Sequence, residues 1–147
     1  MTERKVLDSA VVSRIMDSLD VQEAIRLIGA EITEIASGFC EMRMPMTEKI
    51  TQQNGYVHAG ILATLADSAG GYAAYTMVPE DSNILAIEFK MNFIAPAKGD
   101  EIIARGNVIK SGRTITVCHV NIYALDEGNE THWSIMQQTL IRIDPKK

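Results

Sequence analysis

The sequence predicts an α+β fold in which one antiparallel β-sheet wraps around one long central helix, with short N-terminal helices ahead of it. Two observations carry that expectation. The spacing of apolar residues is helical near the start, drops to a period of two from Gly29, and becomes a long helical run in mid-chain before four strand-like runs. Strand, strand, long helix and then four strands is an order that a single sheet covering a single helix accommodates. The 147 residues, 46% of them apolar, suffice for one domain with a sizeable core, and the chain has no internal repeats or low-complexity tracts.

Residues 9–28 read as helix. Val12, Ile15, Met16 and Leu19, then Ala24, Ile25, Leu27 and Ile28, recur at helical spacing, and Asp20 marks a break or cap between two short helices. After Gly29, Ala30 and Ile32, then Phe39, Glu41 and Arg43 against Cys40, Met42 and Met44, alternate as two strands about a Ser37-Gly38 turn. The segment ITQQNGYVH, residues 50–58, carries a turn signal in Asn54-Gly55. AGILATLADSAGGYAAYTM, residues 59–77, then reads as one long helix. Strand runs follow near 84–94, 100–110, 113–125 and 131–143. They are divided by Pro96-Ala97-Lys98-Gly99, by Ser111-Gly112 and by Asp126-Glu127-Gly128-Asn129.

Composition excludes several function classes. Fourteen basic and nineteen acidic residues give a formal charge of −5, and the only dense basic points are Lys146-Lys147 and Lys110 with Arg113. Phosphate backbones need clustered Lys and Arg, so no nucleic-acid partner is expected. No uncharged apolar stretch of about 18 residues spans a bilayer, and MTERKVLDSA lacks an apolar signal core. Cys40 and Cys118 sit in strand-like runs and are not spaced as metal ligands. A cytoplasmic protein with reduced thiols, no membrane partner, and no metal or redox cofactor is the expectation.

Chemistry is expected in residues 50–79. Those thirty residues hold one formal charge, Asp67, mid-helix among Ala63, Leu65, Ala66 and Ala69. A helix apolar nearly all round is a core helix, and an ionised carboxylate there is costly unless it is paired or put to use. Gly70 and Gly71 each lower helix stability by about 1 kcal/mol relative to Ala, and they leave space beside the acid for a ligand or a close partner. The plainer alternative is an Asp that bonds a neighbouring hydroxyl or stands at the helix surface. At the start of the helix, His58-Ala59-Gly60 follows a turn, and the first N–H groups of a helix lack internal acceptors. They suit an anion or a developing oxyanion. Ala59 and Asp67 stand about 12 Å apart along one helix axis, too far to serve one carbonyl together. Two antiparallel helices from different subunits can do so, which makes a composite site in a dimer the expectation.

The run Gly55-Tyr56-Val57-His58-Ala59-Gly60, followed by Leu65-Ala66-Asp67 and Gly70-Gly71, resembles the signature of hot-dog-fold acyl-CoA thioesterases. The closest group is the PaaI-type and 4-hydroxybenzoyl-CoA thioesterases that use a helix carboxylate. Their pattern is G-x-x-H-G-G followed by Leu-Ala-Asp or Leu-Ala-Glu on the central helix. The resemblance runs over residues 28–143 and takes in Phe93-Ile94-Ala95-Pro96-Ala97 and Lys110-Ser111-Gly112-Arg113. It implies a hot-dog domain over 29–147 behind an N-terminal helical segment, 1–28. It also implies hydrolysis of an acyl-CoA thioester to free acid and CoA by a homodimer, with a dimer of dimers beyond it.

Carried over residue by residue, the resemblance makes Asp67 the nucleophile or general base. The N–H of Ala59, with that of Gly60, would polarise the thioester carbonyl. Ala59 replaces the usual first Gly; the donor is main chain and survives, while the methyl group narrows the approach. Six residues before His58 the family places an Asn or Gln that positions carbonyl or water, here Gln52, with Gln53 and Asn54 as rivals. Asn54 and His58 count along the substrate's path, although Asn54 also suits a plain turn and His58 a structural role. A hydroxyl that holds the attacking water in some relatives falls at Ala86, which has none. A helix Thr of the aryl-specific branch falls at Gly71, leaving Ser68 or Thr64 to substitute.

Coenzyme A enters as part of the substrate and needs cations for its phosphates. The Lys110-Ser111-Gly112-Arg113-Thr114 turn offers two charges with free N–H groups, and relatives bind the nucleotide near this turn. Hairpin turns also carry such residues for solubility alone. Lys90 and Lys98 are weaker candidates. His119 and His132 alternate within strands without ligand spacing, while Trp133 and the Met residues line either the core or an acyl pocket. Two other readings compete. A hot-dog hydratase or dehydratase pairs an acid with the His five residues later, and Gln53 occupies that place. A non-catalytic acyl-CoA-binding or sensing protein would keep helix and pocket with no need of Asp67.

Overall fold

The computed structural model describes residues 4–145, so the basic pair Lys146-Lys147 lies outside the described residues. The chain runs α1 (Ser9–Asp20), α2 (Glu23–Ile28), β1 (Glu31–Ala36), β2 (Phe39–Pro45), α3 (Ala59–Tyr75), β3 (Asn83–Phe93), β4 (Glu101–Ser111), β5 (Ile115–Asp126) and β6 (Asn129–Ile143). A 3-10 turn, Glu48–Ile50, precedes α3. The six strands form one sheet in the order β1-β2-β4-β5-β6-β3, every neighbouring pair antiparallel. α3 packs across it against β2, β4 and β5, with contacts to β3 and β6. This is the hot-dog fold.

Alternation along the strands selects the face that meets α3. Cys40, Met42 and Met44 on β2, Ile102 and Ala104 on β4, and Val120, Ile122 and Ala124 on β5 are all buried, because successive side chains point to opposite faces. The other face of β2 carries Glu41 and Arg43, which are ion-paired to each other. α3 buries Leu62, Leu65, Ala66, Ala69, Tyr72 and Ala73. Its close approach to β4 depends on Gly106, where a Cβ would lie 2.5 Å from the Ala69 carbonyl oxygen.

α3 ends at Tyr75 rather than the expected Met77. Thr76 turns its hydroxyl back onto the Ala73 carbonyl at 2.7 Å and accepts from the Gly38 N–H at 2.8 Å, which closes the helix. The N-terminal helices send Ile15, Ile25 and Ile28 into the same apolar cluster as Leu65 and Ala69. No helix among the described residues is long and apolar enough to cross a membrane.

β3 is an edge strand of unusual character. Leu85, Ile87, Phe89 and Phe93 are 55%, 55%, 48% and 51% exposed. Long apolar edge strands invite pairing with another chain unless something covers them.

Candidate active site

The loop before α3 is a small hairpin that fixes the helix start. Thr51 bridges Val57, the Gln52 N–H donates to the Tyr56 carbonyl at 2.7 Å, and the His58 N–H donates to the Ile50 carbonyl at 2.9 Å. These bonds hold His58 in extended geometry (φ −62°, ψ 134°) as the N-cap residue, and its Nδ1 accepts from the Gly60 N–H at 3.0 Å. A ring nitrogen that accepts carries no proton, so the proton of this imidazole sits on Nε2. The Gly60 N–H is therefore engaged by His58, whereas it was expected beside Ala59 as an oxyanion donor. The Ala59 N–H has no acceptor among the described residues, as the first turn of a helix leaves it. Ala59 lines a cavity of about 600 Å³ together with Gln52, Gln53 and Trp133.

Of the three amides proposed near the carbonyl, Gln52 and Gln53 line that cavity and Asn54 does not. Asn54 stands exposed at the turn, its N–H given to Gln52 Oε1, in keeping with the turn role that was the alternative for it. With Oε1 so used, Gln52 keeps its amide N–H groups. His58 lines the cavity while capping the helix.

Asp67 opens on a second, smaller cavity of about 200 Å³, walled by Ser18 of α1, Gln22, Tyr72, Ala86 of β3 and Leu140 of β6. Ser68 lines it as well, whereas the Thr64 hydroxyl donates to the Gly60 carbonyl at 2.9 Å and is committed to the helix. Of the two substitutes for the missing water-holding hydroxyl, Ser68 is the one at hand. Among the described residues Asp67 has no ion-pair partner, and burial pushes its carboxyl above the usual aspartate range. The two glycines beside it differ. A Cβ on Gly71 would meet only Leu140 Cδ2, at 4.0 Å, so the room there is real; a Cβ on Gly70 would lie 2.0 Å from Gln138 Oε1.

Gln138 is the residue that sequence reasoning missed. It is fully buried on β6, and its Nε2 donates to Asp67 Oδ1 at 2.6 Å and to the Asp67 carbonyl at 3.1 Å. A signal existed: in Ser134-Ile135-Met136-Gln137-Gln138-Thr139-Leu140, the inward positions are Ser134, Met136, Gln138 and Leu140, so Gln138 is an amide on a core-facing stripe.

The structure does not bring the Lys110–Arg113 turn to either cavity. Lys110 and Ser111 line a third one, of about 760 Å³, with Arg4, Lys5, Gly38 and Met77, at the C-terminal end of α3. Gly112 and Arg113 are exposed at the tip of the β4–β5 turn. Lys98 lies beside the Ala59 cavity, its Nζ 5.5 Å from the Tyr56 ring centre, and Lys90 is exposed on β3. His132 stacks on Tyr123 with ring centres 4.8 Å apart. Trp133 lines the Ala59 cavity and Met136 lies in the core. Among the described residues no three His, Cys, Asp or Glu side chains gather in a metal-binding group.

Comparison with known proteins places these features in a wider set. The model of the thioesterase superfamily matches residues 54–131, which span the Ala59 and Asp67 sites. A thioesterase family protein from Silicibacter pomeroyi, solved as a crystal structure, is 38% identical with a TM-score of 0.90, over 92% of this chain and 99% of that one. A 1,4-dihydroxy-2-naphthoyl-CoA hydrolase of Listeria monocytogenes is 27% identical over 95 residues, 65% of this chain and 77% of that protein. The PaaI protein of the phenylacetic acid degradation operon of E. coli is 20% identical with a TM-score of 0.83, over 95% and 98% of the two chains, a likeness of fold alone.

Proposed function

The chain belongs to the thioesterase superfamily and is a thioester hydrolase, and from that premise we propose that it hydrolyses acyl-CoA to free acid and coenzyme A, at a site shared between two copies. The observation that carries the reading is a carboxylate that, among the described residues, has no cation partner and lies in a cavity lined by no other charged group. Burial of this kind is costly to a fold and marks a group put to chemical use. The aryl-CoA hydrolase among the relatives favours a CoA thioester as substrate.

In the proposed reaction the thioester carbonyl accepts from the Ala59 N–H at the mouth of α3, with the amide of Gln52 beside it. Asp67 of the facing subunit takes a proton from water, and the hydroxide so formed adds to the carbonyl carbon. The oxyanion rests on the Ala59 N–H. The tetrahedral intermediate then collapses, the C–S bond breaks, and the departing thiolate recovers the proton. In the covalent alternative, an Asp67 oxygen adds instead and expels the thiolate, and water opens the resulting anhydride. Solvent ¹⁸O found in Asp67 after a single turnover would establish the covalent route with water opening the anhydride at the aspartyl carbon, since the general-base route never labels Asp67. The proposed chemistry uses water, a base and an oxyanion donor. Lys110 and Ser111, on the cavity that also takes Arg4 and Lys5, are the proposed seat for the coenzyme's phosphates.

The dimer follows from distance and from β3. One helix separates Ala59 from Asp67 by eight residues, about 12 Å, and an antiparallel partner helix closes that gap. The exposed apolar edge of β3, which borders both cavities through Phe93 and Ala86, supplies the surface for pairing. The testing experiment is release of free thiol from a panel of short, medium, long and aryl acyl-CoAs. Turnover of at least one class is expected; binding of the panel without release of thiol would favour the sensing role and contradict the reading.

A further inference from the structure

We propose that Gln138 is a positioning residue for the reaction: its side-chain amide clamps Asp67 by main chain and side chain together, so that one carboxylate oxygen is held and the other is turned to the substrate. The proposal rests on Asp67 being the reacting carboxylate. Both hydrogens of Gln138 Nε2 have acceptors on one residue, Asp67 Oδ1 at 2.6 Å and Asp67 O at 3.1 Å. Oδ2 has no partner among the described residues, which leaves it as the oxygen free to act.

The geometry comes at a cost that a merely structural amide would not incur. Gln138 Oε1 is buried without a hydrogen-bond partner, and turning the amide over would set that oxygen against two acceptors of Asp67. The orientation is therefore imposed by the carboxylate. Room for it comes from Gly70, where a Cβ would stand 2.0 Å from Oε1 and 3.0 Å from Val120 Cγ2. Gly70 is the space the amide fills, whereas Gly71 faces the open cavity.

The surroundings leave Gln138 as the main polar influence on Asp67. α3 itself adds Ser68, Tyr72 and Tyr75 to the cavity, Gln22 joins them from the start of α2, and β3 contributes Asn83 and Ala86, none of them hydrogen-bonded to Asp67 among the described residues. α1 brings Ser18, and its Arg14 is spent on the carbonyls of Tyr75, Pro79 and Glu80. From β5, Cys118 donates to the Gly70 carbonyl at 3.4 Å, its thiol pushed by burial up to about 12. Glu88 on β3 accepts from Thr139, which points away from the face that carries Gln138.

An N–H donated to a carboxylate favours its charged form. Gln138→Met keeps the length and removes both donors. The expected result is an acid limb of the kcat–pH profile moved upward by about one unit, with plateau kcat lower by roughly 10–100-fold and KM unchanged. Asp67→Asn is measured beside it. If Asp67→Asn is inactive and Gln138→Met traces the parent's pH profile, the clamp is overturned and the reading of Asp67 stands. If Asp67→Asn turns over fully, the reading falls and the clamp with it. A second measurement needs no variant at the clamp. In the parent, the Gln138 side-chain amide resonances should titrate with the midpoint of that acid limb; resonances flat across it would overturn the proposal even if Gln138→Met fails to fold.

Discussion

Asp67 and Glu41 are carboxylates on opposite faces of the same sheet, and the fold treats them in opposite ways. Glu41 on β2 is buried and receives Arg105 Nε at 2.7 Å, Arg43 Nε at 2.9 Å and the Thr33 hydroxyl at 2.8 Å. Burial alone would push its carboxyl up, but the bonds from Arg105, Arg43 and Thr33 outweigh burial and hold it below the usual range. Arg105 extends the network to Glu130 with a pair of bonds at 2.6 and 2.7 Å. Among the described residues Asp67 has one neutral amide and no cation, and burial drives it the other way. The fold meets the charge of Glu41 with cations and gives Asp67 none among the described residues, the contrast expected between a structural acid and one proposed to react.

The comparison breaks first at turnover. Asp67→Asn keeps an oxygen for the Gln138 amide and removes the base, so kcat should fall by roughly 10²–10⁴-fold in a thiol-release assay. Its stability should move the other way. A carboxyl raised in the folded state disfavours the native state once pH exceeds its unfolded value, so the Asn variant should melt above the parent at neutral pH. A variant that both retained turnover and lost stability would reverse the assignment of the two acids.

Glu41→Gln should give the mirror image. Turnover persists and stability falls by about 2 kcal/mol, less than the 3–5 of a fully buried pair, because Arg43 and Arg105 keep 31% and 28% side-chain exposure. The pH dependences sharpen the contrast. Glu41, depressed in the folded state, contributes stability at pH above its unfolded value, and loses it as pH falls through the depressed folded value. Asp67 must be ionised to act, so activity should fail on acidification at a pH above the ordinary aspartate range. Between those limits the enzyme should be folded and idle, a window that circular dichroism and rate measurements on one sample would reveal.

The fold was legible because its signals are local. The period-two runs, the Asn54-Gly55 turn and the apolar 59–77 stretch each announce an element, and the lone charge within 50–79 points to Asp67. Gln138 was hidden because it lies 71 residues from Asp67, and only the β6 register carries it under the helix. The bond from the Gly60 N–H to His58 was hidden for a related reason: whether a first-turn donor is engaged depends on the rotamer of His58, which sequence does not specify. Asn54 was ambiguous from the start, since the residue that suits a polar contact also suits a turn. The cationic turn at Lys110–Arg113 was visible, but its place at the far end of α3 follows from strand lengths that no local pattern sets.

The smallest effect separates the two glycines beside the acid. Gly71→Ala meets no atom closer than 4.0 Å and should stabilise the helix by about 1 kcal/mol, while raising KM by narrowing the cavity. Thermal melting with steady-state kinetics checks both halves; a lower melting temperature would mean that Gly71 is as tightly packed as Gly70.

The central claim is that each site draws Ala59 from one subunit and Asp67 from the other, and mixed dimers test it most directly. Ala59→Pro deletes the N–H, and proline suits a first helical position after a residue as extended as His58. Each homodimer, Ala59→Pro or Asp67→Asn, should be inactive. In a dimer with one chain of each kind, one site would join the intact Ala59 of the Asp67→Asn chain to the intact Asp67 of the Ala59→Pro chain. The account predicts that this mixed dimer regains half the parent's activity, whereas a mixed dimer as inactive as both homodimers would mean that each site lies within a single chain.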